Sequence, residues 1–198
     1  MALDPARITE AAVALLDEAG LDGLSTRRLA ARLGIASPSL YWHVRDKEAL
    51  LDLVAEAICA DAFAIDPAQP WRDQLATGLR QFRAMLLAHR DAARLLRDRP
   101  PRGPHRLGHV ETTLRILLDA GFTEQDAAGI ARLLTAHVLD SVPTGGPPAG
   151  GVEWPDLADY PSLRRVAPTF ASQTPDAVFE LGVEIILEGL EARVEGAR

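Results

Sequence analysis

The 198-residue chain has one cysteine, Cys59. A lone thiol builds neither an internal disulfide framework nor a four-thiolate zinc site. That fits a reducing compartment. Long apolar runs are also missing: the longest are short and broken by charge, so no membrane-spanning helix is expected. The N-terminus carries Asp4 and Glu10 and lacks the basic-then-apolar order of a signal peptide, so a cytoplasmic protein is expected. No period-2 run of β-branched residues bounded by turns occurs, which argues against strands. There is no Ser/His/Asp ordering, no phosphate-cradling glycine loop and no paired-carboxylate signal, so no enzyme is expected. No internal repeat is present. Length allows one or two domains, with enough buried surface to fold without metal or disulfide.

Positive charge is scarce as well. The chain has 21 basic and 28 acidic residues, a net −7. As a sum this speaks against a nucleic-acid partner, but distribution matters more. Between Ser25 and Lys47 stand Arg27, Arg28, Arg32, Arg45 and Lys47, with Asp46 the one acid. A basic island thus sits near the N-terminus of an acidic protein.

What the sequence has in abundance is helical periodicity. Ile8, Ala11, Ala12, Leu15, Leu16 and Ala19 mark one face of a first helix, with Asp4 as N-cap, Pro5 at the first position and Gly20 as stop. Ser25 or Thr26 caps a short second helix that turns Leu29, Ala30 and Leu33 inward and ends at Gly34. Ser37 caps a third, with Pro38 at its first position and Leu40 to Val44 following. Asp46 caps a fourth over 47–60. Further helices are expected over 71–88, 91–96, 107–120, 124–142, 161–167 and from Pro175 onward. In the fifth, Leu75, Leu79, Phe82 and Leu86 face inward. Residues 99–104, Arg-Pro-Pro-Arg-Gly-Pro, form a turn cluster. Thr123 and Asp126 are spaced like a capping box. The Gly-Pro segment 143–155 reads as a flexible loop. The last helix is apolar over most of its circumference, which calls for a large core or another subunit.

Two short helices joined by a glycine turn, the second opened by Ser-Pro, form a helix-turn-helix pattern. In that motif the second helix enters the major groove. Ser37, Ser39, Tyr41 and His43 supply hydroxyl and imidazole groups there. Thr26, Arg27 and Arg28 sit where a helix N-terminus attracts phosphate, and Lys47 is another phosphate candidate. The same geometry occurs in proteins that never touch DNA, and Tyr41 and Trp42 also suit a core.

Residues 23–35 (Gly-Leu-Ser-Thr-Arg-Arg-Leu-Ala-Ala-Arg-Leu-Gly-Ile), 38–44 (Pro-Ser-Leu-Tyr-Trp-His-Val), Lys47 and 49–52 (Ala-Leu-Leu-Asp) resemble the DNA-binding domain of the tetracycline-repressor (TetR) family. The run at 40–44 is closest to its tetracycline-responsive branch. The resemblance continues through 89–93, Arg99-Pro100, Gly121-Phe122 and 179–191, so it spans nearly the whole chain. It implies an all-α homodimer. An N-terminal three-helix helix-turn-helix domain (1–60, with the fourth helix leading out of it) would precede an α-helical C-terminal ligand-binding and dimerisation domain (61–198). By matching positions, Thr26, Arg27, Ser37, Pro38, Ser39, Tyr41, Trp42, His43 and Lys47 would face the operator. Phe82, Met85, His109, Thr113 and His137 would lie at or near the ligand pocket, and Arg99 and Pro100 would match a loop that moves on induction. Dimerisation would rest on the helices near 124–142 and 175–194, with Leu187 in the seam.

Three departures bear on specificity. Ser37 replaces a longer amide side chain that reads a base, and a serine cannot make the bidentate contact to adenine. The segment 94–98, Arg-Leu-Leu-Arg-Asp, is one residue shorter than its counterpart and lacks the histidine that holds a magnesium–drug chelate. Polar drug contacts fall on Phe63, Thr77 and Gly78. Tetracycline is therefore not carried over as the ligand. His105 and His109, four apart, have no nearby third ligand in the sequence, so no metal and no cofactor is expected. His137 stands open between a hydrogen-bonded core or seam residue and a ligand contact. The expected function is a DNA-binding repressor released by a small apolar or aromatic inducer. A regulator without an inducer and an enzyme reusing the scaffold are the alternatives.

Overall fold

The computed structural model describes residues 4–60, 64–143 and 154–196. Among these, every regular element is a helix: α1 (Pro5–Gly23), α2 (Thr26–Leu33), α3 (Ser37–Tyr41), α4 (Lys47–Ala57), α5 (Trp71–Ala88), α6 (Ala92–Arg97), α7 (Pro104–Asp119), α8 (Glu124–Ser141), α9 (Pro161–Ser172) and α10 (Pro175–Gly196). Phe63 and most of the Gly-Pro segment, residues 144–153, lie outside the described residues.

Local chemistry sets most boundaries. Asp4 accepts from the Ala6 N–H at the start of α1. Gly20 adopts φ +70° and breaks the helix, as its place in the sequence predicts; a short helical piece then runs on to Gly23. A Cβ at Gly20 would also stand 2.7 Å from the Asp91 carboxylate. Ser25 caps α2 through the Arg28 N–H, and Gly34 closes it in the left-handed region. Asp46 caps α4 through the Ala49 N–H. Thr123 caps α8 through Asp126, and Thr174 caps α10 through Ala177.

α1, α2, α3 and α4 close a small bundle around Ile8, Leu16, Leu29, Leu40, Val44 and Leu50. α5, α7, α8 and α10 pack into a second, larger layer around Leu86, Leu117, Leu134 and Phe179. α4 belongs to both, since it also packs on α6 and α7. Among the described residues four ion pairs tie α10 to its neighbours: Arg72 with Glu191, Arg80 with Glu180 at 2.7 Å, Arg83 with Asp176 at 2.7 Å, and Arg193 with Asp126 at 2.8 Å.

Several expectations need correction. Ala36, not Ser37, is the N-cap of α3; Ser37 is the first helical residue and caps nothing. The helix stops at Tyr41, and a turn bonded from Leu40 O to the N–H groups of His43 and Val44 completes the segment. α9 extends to Ser172 with Pro168 inside it. A proline there forfeits one backbone hydrogen bond, a cost a helix standing largely apart from the bundle can carry. Leu187 is 3% exposed in its own subunit's core, so it is not an outward seam residue. The outward apolar face of α10 is Val178, Leu181 and Ile185, the last 58% exposed, with Leu133 of α8 also exposed.

Candidate DNA interface and ligand cavity

The reading head separates two faces cleanly. Leu40 and Val44 are buried, while Pro38, Ser39, Tyr41, Trp42, His43 and Lys47 are exposed and Ser37 is half-buried. Trp42 is 89% exposed, so it is not core. Its ring stands in water just after the end of α3. Thr26 is half-buried, and Arg27 and Arg28 are exposed on the first turn of α2.

The basic island is partly spent inside the protein. Arg32 forms a bidentate pair with Glu18 at 2.5 and 2.8 Å, and hydrogen bonding to Arg32 holds the Glu18 carboxyl below its ordinary pKa. Arg45 reaches Asp46 at 3.1 Å. Arg28 donates to the Gly23 carbonyl but forms no ion pair among the described residues. Arg27 and Lys47 likewise have no ion pair there. The free cations of the island are therefore Arg27, Arg28 and Lys47.

The larger helical layer contains a cavity of about 720 Å³ between α5, α6, α7 and α8. Of the residues the resemblance assigns to a pocket, Phe82, Arg99, His109 and Thr113 line it. Met85 and Pro100 do not, and neither does His137. His137 stacks on Phe179 at 5.3 Å and meets the Phe179 carbonyl at 3.1 Å. A Cβ at Gly182 would collide with the His137 ring. His137 thus fills the tight α8–α10 crossing, the core alternative of its two readings. Arg97, Arg106, Arg132 and Cys59 also line the cavity. Nothing in the sequence marks these arginines for a cavity, because arginines on helices ordinarily belong to solvent. Burial pushes the Cys59 thiol up to about 11.

The 94–98 segment carries no histidine, no described lining residue carries a carboxylate, and among the described residues no three His, Cys, Asp or Glu side chains cluster as metal ligands would.

One wall of the cavity is tied to α4. Glu48, Asp52 and Glu56 recur every turn along one face of that helix. Arg99, from the loop after α6, pairs with Asp52 at 2.5 Å and with Glu48. Glu56 accepts from the His105 and Arg106 N–H groups and so caps α7. Arg106 in turn donates to the carbonyls of Arg99 and Pro100. A second junction joins α1 to the loop before α6. Asp17 meets His89 at 3.1 Å, Asp91 accepts from the Leu21 N–H at 2.8 Å, and Arg94 reaches Asp22 at 3.2 Å.

Comparisons with known proteins agree with this architecture. Residues 8–54 match the family described as "Bacterial regulatory proteins, tetR family", and residues 65–145 match "Tetracyclin repressor-like, C-terminal domain". The tetracycline repressor protein class A from transposon 1721 of Escherichia coli is 38% identical, over 99% of this chain and 97% of its own length. ActR of Streptomyces coelicolor, solved in complex with actinorhodin, superposes with a TM-score of 0.84 at 35% identity, covering 98% of this chain and 99% of that one. A TetR variant from Acinetobacter baumannii AYE, solved in complex with minocycline, gives 0.75 at 33% identity, covering 96% and 98%. With a helix-turn-helix head, a hollow helical core and this likeness over nearly its full length, the chain belongs to the TetR family of bacterial regulators and is a DNA-binding transcriptional repressor.

Proposed function

We propose that the chain acts as a homodimer whose grip on a palindromic operator is released when a small, largely apolar molecule enters the cavity. Residues 1–60 would form the reading unit and 61–198 the ligand-binding and dimerisation unit. Arg27, Arg28 and Lys47 bind phosphate; Thr26 and Pro38 support the backbone approach; Ser37, Ser39, Tyr41, Trp42 and His43 face base edges and sugars. Phosphate contacts set register, and base contacts set sequence. The apolar face of α10, with Leu133 of α8, meets its copy in the partner subunit. The protein works in the cytoplasm and catalyses no reaction; its close relatives are regulators.

The observation that carries the ligand reading is Arg99. This one residue lines the cavity and also grips Glu48 and Asp52 of α4, the helix that leaves the reading head. A molecule that displaces Arg99 loosens or turns α4, and both α4 helices of a dimer set the spacing of the two heads. Heads on one face of DNA need half-sites about one helical turn apart, or a multiple. A ligand favouring another spacing must weaken DNA binding by the same factor that DNA weakens its own. The cavity volume lies in the range of small-molecule sites. A filled core would instead have favoured a regulator without an inducer. Relatives hold actinorhodin and minocycline; a small-molecule effector is carried over from them, their particular ligands are not.

The test starts from an operator selected out of the organism's own DNA fragments. Fluorescence anisotropy then follows release by a panel of small aromatic compounds, for the wild type and for Arg99→Ala. Release that weakens in the variant supports the reading. Release unchanged in Arg99→Ala removes this loop from the mechanism.

A further inference from the structure

The lining of the cavity has an unusual charge pattern. Arg97, Arg99, Arg106 and Arg132 all reach it, and no described lining residue is acidic. Two of the four are neutralised from outside the lining: Arg97 by Asp140 at 2.6 Å, and Arg99 by Glu48 and Asp52. The other two are not. Arg106 donates only to backbone carbonyls, and neither it nor Arg132 forms an ion pair among the described residues. Burial holds Arg106 below the ordinary arginine pKa even with the Glu56 and Asp52 carboxylates nearby.

Arg132 is exposed, and a solvated surface arginine is the plain alternative. Its position argues otherwise. Ala128, Arg132, Thr135, Ala136 and Leu139 recur at helical spacing along α8, and all of them line the cavity. Alanines four residues before and after Arg132 leave room for its guanidinium to lie over the opening. The remaining walls are apolar, with Phe82, Leu96 and Leu114 among them.

We propose that the cavity takes an amphipathic aromatic carboxylic acid, its flat apolar body among the cavity walls and its carboxylate held by Arg132 and Arg106. This rests on the reading of the cavity as the effector site and deepens it by naming the ligand class. Planar guanidinium groups match carboxylates in fork geometry. Two guanidinium groups at one apolar cavity, neither with an ion-pair partner among the described residues, attract an anion. The same field disfavours a cationic metal chelate.

The probes are anthraquinone-2-carboxylate and its neutral methyl ester. Titration calorimetry measures both against the full chain, Arg132→Gln, Arg132→Lys and Arg106→Gln. In the wild type the acid is expected to bind about tenfold or more tighter than the ester. Arg132→Gln should reduce that preference to about threefold or less, and Arg132→Lys should retain most of it. Equal binding of acid and ester, a preference unaltered in both glutamine variants, or no binding of the acid would each overturn the proposal. Operator release separates the two readings. Release by neutral aromatics with no preference for the acid sinks this inference and leaves the effector site standing. Acid binding that depends on Arg132 but never releases the operator does the reverse.

Discussion

Removing Arg27 should change how DNA binding responds to salt, and the size of the change follows from the charge inventory of the reading head. Of the five basic residues between Ser25 and Lys47, Arg32 is engaged by Glu18 and Arg45 by Asp46. Arg27, Arg28 and Lys47 are left to displace counterions, so a dimer presents about six phosphate contacts, each worth a slope of about 0.9 in log K against log salt. The wild-type slope should be about −5, a loss of about a thousandfold between about 50 and 200 mM salt. Arg27→Ala removes two contacts per dimer. Its slope should flatten by about two units, and the loss over the same range should shrink to about a hundredfold. Arg27 is the cleaner choice over Arg28, whose guanidinium also holds the Gly23 carbonyl. Arg32→Ala is the control: its charge is already paired, so its slope should match the wild type. Anisotropy titrations on one operator duplex at four salt concentrations measure all three. Equal slopes for wild type and Arg27→Ala, or an equal flattening in Arg32→Ala, would refute the inventory.

Other predictions follow from burial and charge. Ile185→Glu should give folded monomers by sedimentation, because the side chain points outward from α10, whereas Leu187→Glu should unfold the subunit, since burying an unpaired carboxylate costs several kcal/mol. A stable dimer in the first variant would displace the seam. Arg99→Ala should cost about 1 kcal/mol of stability, because both of its carboxylate partners are at least partly exposed and screened; thermal unfolding checks this. Alkylation of Cys59 by iodoacetamide should rise with pH to a midpoint of about 11. The folded thiol stays neutral where the unfolded one ionises, so the cysteine subtracts stability as pH climbs from its ordinary 9.0 toward about 11. A midpoint near 9.0 would place the thiol in open solvent.

Much of this molecule is legible from the sequence because its signals are local. Ser25, Asp46, Thr123 and Thr174 cap helices with their own side chains, and Gly34 supplies a left-handed residue, so four-residue windows contain the physics. The bounds of α5 follow from an apolar stripe between Pro70 and the break at His89. The burial of Leu40 and Val44 opposite Tyr41 and His43 follows from one helical turn. Long-range chemistry is not legible in this way. Nothing near Leu187 says which side of a helix apolar over most of its circumference faces home; the packing of α5 and α8 decides it. His137 sits on a stripe that suits a pocket as well as a crossing, and only the folded chain shows it packed against Gly182 and Phe179. The Glu48, Asp52 and Glu56 ladder is an ordinary solvated face until Arg99 and the start of α7 are folded against it. Ser-Pro usually opens a helix with the serine as cap, yet Ala36, extended at ψ 139°, takes that place and Ser37 becomes the first helical residue.

The central claim is that α3 reads base pairs as one of two heads. Selection from a randomised duplex library, carried out with the wild type and with Ser37→Gln, tests it most directly. The account predicts a palindrome with half-sites about one helical turn apart, or a multiple. In the glutamine variant one position of each half-site should shift toward adenine, by about 1–3 kcal/mol of discrimination. A library that yields no palindrome, or the same half-site for both proteins, would contradict it.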